Sequence, residues 1–131
     1  MKFDGMKNLK PELVEHFASM VNVRYVGEDM AEIGLPLWMS DGDGVEVYVT
    51  DNKDGSYSLS DAGDILAVHI SKYAMNPPKG EDRERLVTEV KPAGIKLTDD
   101  NVFVMNVTQD RDLPYCIYYF GHVMSELTYV R

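Results

Sequence analysis

The sequence predicts an α+β domain: an antiparallel sheet made of a meander of short strands and a later hairpin, packed with three to four helices, the last the longest. Three observations predict it. Residues 22–60 break into short apolar or alternating runs separated by Asp-Gly turns, apolar spacing of three and four marks helices on either side, and a second turn-linked pair of runs lies at 95–107.

Taken in order, residues 9–21 read as a helix, with Pro11 in its first turn and Leu13, Phe17, Met20 and Val21 along one side. Runs at 22–26, 33–39 and 45–50 read as strands; in the third, Val45, Val47 and Val49 share one face while Glu46, Tyr48 and Thr50 share the other. Pro36 cannot donate to a ladder and belongs at an edge or a bend. Asp41-Gly-Asp-Gly and Asp51-Asn-Lys-Asp-Gly are hairpin-turn chemistry, so a meander over 22–60 is expected, ending on a strand near 57–59. Ser60 or Asp61 is placed to cap a helix over 61–74, and residues 81–90 form a charged helix stopped by Pro92 and Gly94. The closing helix is expected over 112–129, with Asp112 as its cap. All of this fits a single domain over 1–131.

The stretch from Ile33 through Val49, with its proline, aspartates and alternating strand, leads on to Gly55-Ser-Tyr-Ser-Leu-Ser-Asp-Ala-Gly-Asp. From about Val23 to the C-terminus the chain resembles an uncharacterised prokaryotic and phage family, domain of unknown function 1828. Ala62 stands where that family is more often acidic. The resemblance implies a small α+β fold and a prokaryotic or mobile-element setting, and it brings no catalytic residue.

Composition narrows the function classes. A single cysteine, Cys116, excludes an intrachain disulfide, and no apolar run has the length of a membrane span, so a cytoplasmic protein without a membrane role is expected. The net charge of -9 argues against direct nucleic-acid binding, which needs Lys and Arg to displace counterions. That charge is localised: ten acids and one base lie between Glu28 and Asp64, while the rest of the chain holds twelve of each sign.

Candidate chemistry is sparse. Asp41, Asp43 and Glu46 lack the rest of a calcium-loop pattern, and Asp-Gly turns explain them better. Glu89-Val-Lys91 has a spacing used by some metal nucleases but ends a helix in an acidic protein. His16, His69 and His122 are scattered, and Cys116 falls on an apolar helix face. No catalytic residue, metal or cofactor is expected, although carboxylates such as Asp41, Asp43, Asp61 and Asp64 could meet around a metal in a small hydrolase or nuclease. On the closing helix, Leu113, Cys116 or Ile117, Phe120, Met124 and Leu127 form a core stripe, and Tyr115, Tyr119, His122, Glu126 and Tyr129 a second one suited to an interface.

The expectation is therefore a non-enzymatic, acidic binding protein that engages a basic host protein or nucleoprotein complex. An anti-CRISPR-like inhibitor carried by a phage is one concrete form. Its contact residues would be Asp41, Asp43, Glu46, Asp51, Asp54, Asp61 and Asp64 with Tyr115, Tyr119, His122, Glu126 and Tyr129. An oligomerising module that pairs through the closing helix is an alternative.

Overall fold

Alternation along Gly44–Asp51 sets the plan: Val45, Val47 and Val49 are buried on one side while Glu46 is exposed on the other, so this strand lies in a sheet covered on one face. A computed structural model describes residues 5–129 of the chain. Six strands, β1 (Asn22–Val26), β2 (Met30–Trp38), β3 (Gly44–Asp51), β4 (Tyr57–Ser60), β5 (Ile95–Leu97) and β6 (Phe103–Val107), form one antiparallel sheet in the order β1-β2-β3-β4-β6-β5. With its helices this is an α+β fold. The meander and the later hairpin join because β6 pairs with β4, Leu59 opposite Met105. Pro36 sits where the β2–β3 register shifts between Leu35 and Trp38, so the missing donor falls at an irregularity inside the sheet.

Helices α1 (Leu9–Ser19), α2 (Gly80–Val90) and α3 (Leu113–Leu127) complete the fold. The longest, α3, packs across β2 and β3 through Phe120, Gly121, Met124 and Leu127. Gly121 permits the close approach, since a Cβ there would stand 2.5 Å from Leu35 Cδ1 and 3.3 Å from Val45 Cγ1. Leu86 and Val90 bury α2 beside the edge strand β5. Asp112, expected to cap α3, makes no side-chain capping bond; a 3₁₀ turn over Asp110–Asp112 leads into the helix instead.

One further expectation is corrected. No α-helix runs over 61–74: a π turn at Ile65–His69 and a 3₁₀ turn at Ser71–Tyr73 take its place. Ile65, Leu66, Ile70 and Tyr73 are all buried, and seating them in the core overrides regular helical spacing. The N-terminal helix exists, but none of its residues is buried, and Leu13 and Phe17 are about half exposed.

Candidate functional site

The ten acids of 28–64 do not form one face. Successive turns of a meander lie at opposite ends of the sheet, so acids carried on those turns are divided between the ends. At one end the β1–β2 and β3–β4 turns meet: the Asp51 amide donates to the Asp29 carbonyl at 2.8 Å, and Lys53 Nζ stands 3.0 Å from Asp29 Oδ1 and 3.8 Å from Asp51 Oδ2. Asp54 Oδ1 accepts from the Ser56 amide and hydroxyl at 2.9 and 2.6 Å, which holds its carboxyl below the usual range. Asp51 and Asp54 thus organise a turn at the other end of the sheet from Asp41 and Asp43.

At the opposite end β4 stops at Ser60, opposite Tyr48, leaving residues 44–47 of β3 without a β4 neighbour. The chain after β4 folds beside this gap and leaves a recess of about 510 Å³ lined by, among others, Asn22, Gly34, Asp43, Glu46, Asp64 and His69. Among the described residues, no Lys or Arg lines it. Glu46 Oε2 accepts from the Tyr48 hydroxyl at 3.3 Å. The phenol is pushed up to about 12, first by burial and then by the charges of Asp64, Glu46 and Glu32.

Asp61, expected at a partner contact, is buried and serves the fold instead. Its Oδ1 accepts from the Gly63 and Phe103 amides at 3.0 and 2.9 Å, and its Oδ2 from the Ile65 amide at 3.0 Å. Burial pushes its carboxyl up while those three bonds oppose the shift. Asp61 therefore ties the π turn to β6.

His69 is the residue that sequence reasoning missed. Its Nδ1 stands 2.7 Å from Asp41 Oδ2 and 3.7 Å from Asp43 Oδ2, with the imidazole side chain only 10% exposed. One ligating atom from each of these three residues lies within 4.8 Å of the other two, a spacing that a divalent cation could bridge. The His69 contact is also the first reason that the Asp41 carboxyl is held below its ordinary value. Twenty-eight residues separate His69 from Asp41. No motif spacing carries that signal.

On the far side of the sheet, the outer face of α3 is open. Tyr115 and Tyr118 are exposed, Tyr115 stacks on Tyr119 at 6.0 Å, and Tyr118 stacks on His122 at 6.5 Å. His122 Nε2 lies 2.6 Å from Glu126, and the Tyr129 hydroxyl donates to the Trp38 carbonyl at 3.5 Å. Tyr119 is half buried against the end of α2. Tyr118 was absent from the expected stripe, though its spacing of four to His122 was readable.

Residues 36–127 match the family described as domain of unknown function DUF1828, which is 92 of the 131 residues. The chain belongs to this family. The matched region begins within β2 and ends with α3, so it includes Asp43, Glu46 and Asp64 of the recess, Asp61 and the His69 cluster but leaves out α1, β1 and the recess's Asn22 and Gly34. No curated protein and no solved structure matches the chain. Among the described residues, no helix is long and apolar enough to cross a membrane.

Proposed function

We propose that this member of the DUF1828 family is a non-enzymatic binding protein that takes a basic side chain of a protein partner into the recess beside β3. The observation that carries this reading is the convergence of Asp43, Glu46 and Asp64 on one concavity with no Lys or Arg among the described residues that line it. Carboxylates held around a recess favour Arg or Lys, because each accepted hydrogen bond is charge-assisted and the neighbouring acids add to the same field. A basic protein or a nucleoprotein complex in a bacterial cytosol fits this chemistry, and a phage-borne inhibitor of such a complex is its most specific form.

The test is a fluorescence titration with an Arg- and Lys-rich peptide. Binding should weaken several-fold between 0.1 and 0.5 M salt. The double variant Glu46→Gln, Asp64→Asn should weaken it roughly tenfold or more, while Asp51→Asn, Asp54→Asn at the other end should not. Equal loss in both double variants, or no binding at low salt, would overturn the assignment.

A divalent cation is the second reading, favoured by the meeting of His69 with Asp41 and Asp43, and it is the arrangement a metal-dependent hydrolase would need. A thermal shift of several degrees with millimolar manganese or zinc, abolished in His69→Ala, would support it. Absence of any shift would remove it.

A further inference from the structure

One end of the molecule is left unfinished. Nine of the sixteen large apolar side chains exposed among the described residues fall at or before Met30, including Leu13, Phe17, Val23 and Tyr25. Together these nine expose on the order of 800 Å², divided between the two faces of β1 and the sides of α1, where a standard specific interface takes about that area from each partner.

The two sheet edges are also treated differently. The edge strand β5 has α2 packed beside it, whereas β1 forms the other edge and all five of its residues are exposed. An uncovered edge with apolar side chains is a template for another strand.

We propose that β1 and α1 form the interface of a homodimer, with β1 pairing antiparallel to β1 of a second copy. Charge selects a second copy over an unrelated chain. Residues 1–27 hold four bases and three acids, while the remainder carries nine bases and nineteen acids, so this is the part of the chain at which two acidic copies can approach without strong repulsion. The strand is also self-complementary about a two-fold axis. With Arg24 on the axis, Val23 of each copy lies opposite Tyr25 of the other, an aromatic to β-branched pair on the face that carries Ile33 and Ala31. Each Arg24 guanidinium already bonds Glu32 of its own β2, which screens the two arginines from one another. Helix α1 leads into β1 through Met20 and Val21, and its exposed Leu13 and Phe17 add to the apolar surface of this segment. Of this surface only Met20 and Asn22 also line the recess, Asn22 on the face of β1 opposite Val23 and Tyr25, and the variants below touch neither, so the dimer can be tested apart from the binding reading.

Sedimentation equilibrium at 10–200 µM tests it on the full chain. A mass near twice 14.8 kDa is expected, with the dissociation constant falling at least severalfold as salt is raised and the repulsion between the copies is screened. Val23→Lys with Tyr25→Lys, both exposed positions, should weaken association at least tenfold while leaving the circular dichroism spectrum unchanged. In a Cys116→Ser background, Arg24→Cys should form an intermolecular disulfide under mild oxidation, because opposed residues of antiparallel strands bring their Cβ atoms to about 4.5–5.5 Å. A monomer at 200 µM would overturn the proposal. So would a dimer that survives the double lysine variant or fails to cross-link at position 24.

Discussion

Replacing Asp61 with Ala removes the acceptor for three backbone amides at once, those of Gly63, Ile65 and Phe103. Each buried donor left without a partner costs about 1–3 kcal/mol. Gly63 is partly exposed and can recover water, so a loss of about 3–5 kcal/mol is expected, a large share of the 5–15 kcal/mol typical of a domain. Asp61→Asn keeps an oxygen for Gly63 and Phe103 but turns an amide group toward the Ile65 N–H. It should lose less, about 2 kcal/mol. The pH dependence has a definite sign. Because burial raises the folded carboxyl above its unfolded value, this group contributes most below the unfolded value of 3.8, and that contribution is lost as pH rises through the folded value. The gap between wild type and Asp61→Asn should therefore narrow between pH 3 and pH 6. Urea unfolding followed by circular dichroism at a series of pH values measures both quantities. A loss below 1 kcal/mol for Asp61→Ala, or a gap that widens with rising pH, would refute the tie between the π turn and β6.

Other perturbations test the remaining contacts. Gly121→Val should destabilise by about 1–3 kcal/mol in thermal melts, since the added carbons meet Leu35 and Val45 where α3 touches the sheet. Gly121→Ala should cost less because the Leu35 terminal methyl can turn aside. Ala62 holds φ of +57°, a left-handed conformation costing about 1–2 kcal/mol for a residue with a Cβ. Ala62→Gly should consequently raise the melting temperature by a few degrees, the released strain outweighing glycine's extra chain entropy. The lowered carboxyl of Asp41 contributes stability above its unfolded value that is lost as pH falls through the folded one. Asp41→Asn should flatten the acid limb of the unfolding curve between pH 4 and pH 2.

Much of the fold was readable because its signals are local. Alternation in 45–50 and the Asp-Gly turns needed only a ten-residue window, and β3 runs Gly44–Asp51 with Val45, Val47 and Val49 inside. On α3 the core stripe through Phe120, Met124 and Leu127 followed helical spacing into burial. Where local preference met competing tertiary demands, the reading failed. Residues 61–74 have apolar spacing that suits a helix, yet Asp61 is drawn to the Phe103 amide and the chain bends to bury Ile65, Leu66 and Ile70. Ala62 accepts a left-handed conformation in that bend, where a glycine or a short polar residue would be at ease. The candidate site was legible only in part: Asp43, Glu46 and Asp64 were among the expected contacts, His69 was not, and Asp51 and Asp54 lie at the other end of the sheet.

The sequence by itself determined the class of fold, the excess of acid in 28–64 and which sides of β3 and α3 are apolar, since each is a property of residue order over a short window. Tertiary structure alone decided that β6 joins β4, that turn-borne acids separate to opposite ends, that His69 meets Asp41, and that β1 and α1 remain uncovered. The physical reason is that these depend on which distant segments share the core. That choice is made by the whole packing arrangement, and residues twenty-eight positions apart carry no mark of meeting until it is made.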